Sequence, residues 1–154
     1  MPFRYRLQKM LDFRIRKKEE QLIVVQKAQQ AVYEAEMRIK ANDEEIALTI
    51  KNKRTADYRM MEYFDKYLHH LWDKGEQLLR EKEELEEILR KEVEKLTKCE
   101  QDVKVLENHK EKKREEYKEE ERKEELKMYS EIGVQRHYIR NKEGAETQTQ
   151  QEQQ

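Results

Sequence analysis

The chain has 154 residues, a net charge of −1, 45% charged and only 35% hydrophobic residues, with three glycines and one proline. That is too little apolar side chain for a compact globule, and balanced charge gives no global field to select nucleic acid or acidic lipid. High charge with sustained helical periodicity reads instead as a long helix or coiled coil.

Proline occurs only at position 2, so a first helix is expected from about residue 4. Residues 1–18 carry Arg4, Arg6, Lys9, Arg14, Arg16, Lys17 and Lys18 against Asp12 alone. Arginine or lysine interrupts this stretch every few residues, so no signal peptide is read there. A basic amphipathic helix of this kind also fits a membrane-surface or nucleic-acid tether. One apolar row then runs Leu11, Lys18, Val25, Val32, Ile39, Ile46 and Lys53. A second row is expected to begin as Ile15 and Leu22 and to drift by one position to Ala28, Ala35, Asn42, Thr49 and Ala56. Asn42 in a core row fits a register-fixing role better than a ligand.

A turn is expected at about 53–58, where Asn52, Thr55 and Asp57 offer capping side chains. The second helix, about 59–137, carries the clearest pattern of the chain. Met61, Leu68, Gly75, Lys82, Leu89, Leu96 and Val103 form one seven-residue row. Phe64, Leu71, Leu78, Leu85, Glu92, Cys99 and Leu106 form the other. Alternating steps of three and four put both rows on one narrow seam, which needs a partner helix along its length. Folding about residue 55 supplies that partner and leaves the second helix unpaired beyond about Leu106, where the apolar rows stop. A dimer of single long helices is the rival arrangement.

The only cysteine, Cys99, lies in the seam and reads as a core thiol. Beyond it, sixteen of the nineteen residues 107–125 are charged. Glu107, Glu111, Glu115 and Glu119 each precede a cation by three residues, at Lys110, Arg114, Lys118 and Arg122. Such pairs favour a projecting charged helix over a disordered linker. Leu126, Met128, Tyr129, Ile132, Val134, Tyr138 and Ile139 then form an apolar patch without an evident partner. Residues 141–154, ending in glutamines, are expected to be disordered. Residues 1–135 thus make one coiled-coil domain, all-α, an antiparallel two-helix hairpin with a projecting charged C-terminal extension.

No apolar run of membrane-spanning length occurs. No phosphate-cradling glycine loop or nucleophile motif appears, and adjacent His69 and His70 diverge on a helix, so no enzyme, cofactor or metal site is expected. The chemistry lies in surfaces. Tyr58, Tyr63, Phe64, Tyr67 and Trp72 crowd the start of the second helix. Tyr63 and Tyr67, one turn apart, make a stripe that either seals the seam or anchors a partner.

Three stretches carry a family resemblance. The opening FRYRLQKMLDFRIRKKEE presents Phe3, Leu7, Leu11, Arg14, Glu19 and Glu20. YFDKYLHHL presents Tyr63, Tyr67, Leu68 and Leu71, a Tyr-Leu-x-x-Leu step. ERKEELKMYSEI presents Arg122, Lys123, Leu126, Glu131 and Ile132. In order and spacing the chain resembles the flagellar export protein FliJ family, departing from it at Ser130, where an aspartate is common, and in its long tail after Gly133. The resemblance implies a non-enzymatic coiled coil of the flagellar type III export apparatus, serving flagellum biogenesis and motility. Such a protein is cytoplasmic and peripherally associated with the membrane at the flagellar base. It inserts as a stalk into the hexameric export ATPase and promotes its assembly and activity. It contacts the membrane export gate, handles export chaperones, and is expected to act as a monomer within that complex, without nucleic acid. Carried over by residue, gate binding falls on Tyr67 and Leu71, to which the aromatic stripe adds Tyr63 and Trp72. ATPase contact would fall on the tip holding both termini, at Arg4, Arg6, Arg14, Arg122 and Lys123.

Overall fold

The computed structural model describes residues 2–153. It holds two long α-helices and a short connection: α1, Gln8–Thr55; a 3-10 turn, Tyr58–Met60; and α2, Met61–Glu152. The fold is an antiparallel helical hairpin, as the seam requires. Its contacts divide the chain into two units, residues 9–105 and residues 2–8 with 106–153.

The unit of residues 9–105 contains the paired helices. Every residue of the two α2 rows from Met61 to Val103 is at least partly buried, including Gly75, Lys82, Glu92 and Cys99. Leu68, Leu71, Leu78 and Val103 are buried outright, opposite Leu11, Val25 and Ala35 of α1. Burial at about 25 cal/mol per Å² of apolar surface drives the pairing.

The second row of α1 differs from expectation. It does not drift. Arg14, Gln21, Ala28, Ala35, Asn42, Thr49 and Ala56 keep a strict seven-residue spacing on the seam, while Leu22 is exposed. The polar members hold these places by reaching across to backbone oxygens of α2. Arg14 Nη1 donates to the Asp102 carbonyl at 3.0 Å, Gln21 Nε2 to that of Glu92 at 3.0 Å, and Asn42 Nδ2 to that of Leu71 at 3.0 Å. A helical carbonyl keeps a second lone pair for such a bond, so a polar side chain on the seam need not go unsatisfied.

The turn uses no left-handed residue; among the described residues none has positive φ. α1 ends at Thr55, whose Oγ1 donates to the Asn52 carbonyl at 3.2 Å. Asp57 is extended (φ −64°, ψ 146°), and the amide of Met60 closes on its carbonyl at 2.9 Å. A reversal made from ordinary backbone conformations explains why neither glycine nor proline marks it. Cross-helix pairs such as Asn42–Leu71 and Lys53–Asp65 centre the hairpin on residues 56–60, slightly beyond the expected residue 55.

In the other unit, α1 does not start at residue 4. Residues 2–5 are irregular, Arg6 and Leu7 form a turn, and the Gln8 amide bonds the Tyr5 carbonyl at 3.2 Å. The run Phe3-Arg4-Tyr5-Arg6 alternates apolar and basic, a two-residue period that suits an extended strap rather than a helix. Phe3 stacks on Tyr117 with ring centroids 5.6 Å apart, and Tyr5 is buried against His109 at the same separation. Tyr5 Oη lies 2.6 Å from His109 Nδ1 and 3.4 Å from the Leu106 carbonyl oxygen. The seam therefore does not end at Leu106; Lys110 and Tyr117 extend its first row by two further heptads and are partly buried.

Beyond Tyr117 the helix is exposed at every described residue except Ile132. Of the anticipated charge pairs, Glu111–Arg114 forms at 4.0 Å, whereas Lys110 donates to Gln8 at 2.7 Å and Glu119 pairs with Lys123 at 3.7 Å. α2 continues through residues 141–152, where disorder was expected. Glutamine, glutamate and alanine are good helix formers, and Gly144 is the single strongly unfavourable residue there.

Candidate interaction surfaces

The aromatic stripe sits on the first turns of α2, in the unit of residues 9–105. Tyr63 is 71% exposed and Trp72 48%. The ring of His69 meets Trp72 edge-on at 5.2 Å, and His70 stacks with Tyr67 at 6.4 Å, so the two histidines engage different aromatic rings. Tyr67 Oη donates to Glu45 Oε1 on α1 at 3.0 Å. That bond raises the Tyr67 pKa above 10.0, because it favours the neutral phenol beside a carboxylate; partial desolvation and the carboxylate charge add to the shift. Beside this tyrosine lies a cleft of about 480 Å³, lined in part by Arg38, Ala41, Glu45 and Lys74.

Leu71 is a correction. It is only 3% exposed, held in the seam with its carbonyl bonded to Asn42, and so presents no side chain to a partner. The apolar spacing that makes it a seam residue overrides its place in the aromatic step. Trp72, one position on, takes the outward direction.

The second surface belongs to the other unit. Arg4 and Arg6 flank the strap and border a groove of about 550 Å³ with Lys113, Glu116, Tyr117 and Glu120 of α2. A hydrogen bond to Glu121 raises the Tyr117 phenol pKa, with desolvation and the charges of Glu121 and Glu124 adding to it. Arg122 and Lys123 are exposed on the next turn of the same helix. Arg14 differs from these four cations. Its guanidinium is committed to the Asp102 carbonyl, and the residue is half-buried on the hairpin seam, so it is a structural residue rather than a free tip cation.

Sequence reasoning missed the strap contacts and the polar bridges. Stepping the first α2 row on by sevens reaches Tyr117, and the two-residue period of Phe3 and Tyr5 marks the segment that covers it. Nothing comparable announces Arg14 and Gln21 as seam residues, because apolar Ile15 and Leu22 stand beside them.

Among the described residues no group of three or more His, Cys, Asp or Glu side chains is placed to hold a metal ion. No described helix is long and apolar enough to cross a membrane. Fold and surfaces together define a helical hairpin that displays aromatic and basic side chains for contact with other molecules. No known protein family, curated protein or solved structure matches this chain.

Proposed function

We propose that the chain is a non-enzymatic stalk and adaptor of flagellar type III protein export, of the kind its sequence resembles. In this reading it enters the ring of the hexameric export ATPase and promotes assembly and ATP hydrolysis. It touches the export gate through its aromatic stripe and hands on export chaperones, at the cytoplasmic face of the membrane. The observation that carries the reading is the placement of the Tyr-Leu-x-x-Leu step. The step lies on the second helix of a hairpin, just past the turn, with Tyr63 and Trp72 exposed. Arg4, Arg6, Arg122 and Lys123 supply cations for the ATPase; tyrosine, tryptophan and arginine are favoured interface anchors.

The mechanism asks for stiffness rather than chemistry. Two helices locked by a seam carry a push or an angle from a gripped end to a binding face. The test is addition of the purified protein to the export ATPase, expected to raise hexamer formation and ATP hydrolysis. Arg4→Glu with Arg6→Glu should weaken that effect. Tyr63→Ala with Trp72→Ala should spare it and weaken gate binding. No change in either ATPase measurement, with both proteins folded, overturns the proposal.

A further inference from the structure

The outward face of α1 carries a second regular stripe, on the side away from the seam. It steps by three and four from Phe13 to Leu48. Its large apolar members are Phe13, Ile23, Met37 and Leu48, all about half exposed (46–52%). Interleaved with them are Arg16, Lys27, Glu34 and Glu44, with Gln30 at the centre.

Read against its own reverse about Gln30, the stripe is self-complementary. Phe13 meets Leu48 and Ile23 meets Met37, apolar on apolar. Arg16 meets Glu44 and Lys27 meets Glu34, cation on anion. Glu20 meets Ala41, which is neutral, and Gln30 meets itself. Sliding by one heptad either way destroys the match. One slide sets Lys27 on Lys27 and Glu20 on Glu34; the other sets Glu34 on Glu34 and Ile23 on Glu44. Such penalties against neighbouring registers are how helical interfaces fix a single alignment.

We propose that this face is a self-association surface, on which the α1 helices of two copies pair antiparallel about a twofold axis at Gln30. Each charge pair and each apolar pair then occurs twice, as an isologous interface demands. The stripe spans roughly 50 Å at ~1.5 Å per residue. A single helix contact of that length buries on the order of 1,000 Å² in total, the lower edge of the range for specific complexes. The dimer is therefore weak and reversible, half-formed in the micromolar range. It is independent of the export reading, since it uses neither the aromatic stripe nor the terminal cations.

Sedimentation velocity of the full chain, from low to high micromolar concentration, should show a monomer passing to a dimer. Lys27→Glu should weaken association by about tenfold or more. Adding Glu34→Lys to that variant should restore it; the two sites lie two turns apart on one exposed face, so the rescue cannot arise within one helix. With Cys99→Ser as background, Gln30→Cys should oxidise to a covalent dimer. Ile23→Cys should do so only when mixed with Met37→Cys. A monomer at every concentration, a double swap as weak as the single one, or an Ile23→Cys protein that crosslinks to itself faster than Gln30→Cys overturns the proposal. Far-UV circular dichroism checks that each variant keeps its helices.

Discussion

A Cβ placed on Gly75 would stand 3.1 Å from Nδ2 of Asn42, the atom that donates across the seam to the Leu71 carbonyl. The glycine is the notch into which the asparagine fits. Asn42 is 4% exposed and its Oδ1 is buried without a hydrogen-bond partner, so this one polar layer sets an alignment rather than adding strength.

Gly75→Ala tests that relationship. Alanine is favoured over glycine in a helix by about 1 kcal/mol, but here the new methyl must shift the Asn42 amide by a few tenths of an ångström. In the wild-type chain the substitution should recover less than half of that gain. In an Asn42→Ala background it should recover nearly all of it. Urea denaturation of the four proteins measures the coupling, and simple additivity would show that the two residues do not constrain each other.

Glu92 gives a pH dependence of known sign. Its pKa lies below the ordinary 4.5, chiefly because Gln21 Nε2 donates to Oε2 at 2.6 Å and further because of Lys95. A carboxyl held down in the folded state contributes stability above its unfolded pKa and loses it as pH falls through the folded value. Acidification from pH 5 should therefore weaken the hairpin, and Gln21→Ala should lose less stability over that window than the wild type. Denaturation midpoints across the acid range supply the comparison.

The strap should be separable from the hairpin. Tyr5→Phe removes the hydroxyl shared with His109 and the Leu106 carbonyl, a loss of about 1 kcal/mol by the usual worth of such a bond. Trypsin cleavage after Arg4 and Arg6 should quicken about fivefold, while the main unfolding transition stays in place. Tyr117→Ala, which removes the ring beneath Phe3, should have the larger effect. Mass spectrometry of the early digest reads both.

Truncation after residue 140 removes a helical stretch that buries no described residue. Unpacked helix ends are marginal in water. The melting temperature should not move beyond experimental error, and the helical circular dichroism signal should fall only by the share of those residues.

The sequence spelled out the α2 seam in full, even through Gly75, Lys82, Glu92 and Cys99, because spacing carried the pattern where identity did not. In α1 the opposite preference misled. Choosing apolar Ile15 and Leu22 over Arg14 and Gln21 produced a drift that the molecule does not have, since cross-helix hydrogen bonds are invisible to hydrophobicity. The helical start at residue 4 failed because a two-residue period was read as part of a longer one. Among the surface residues, Tyr63 and Trp72 were legible as outward aromatics. Leu71 was not, because one residue cannot both lie in the seam and face a partner.

Cys99 is half-buried between the helices and is the sole thiol of the chain. Alkylating reagents reach its sulfur fully only when the surrounding turns part. The unaltered polypeptide thus carries its own clock for local breathing, and the speed of thiol modification would register any clamp that holds the two arms shut.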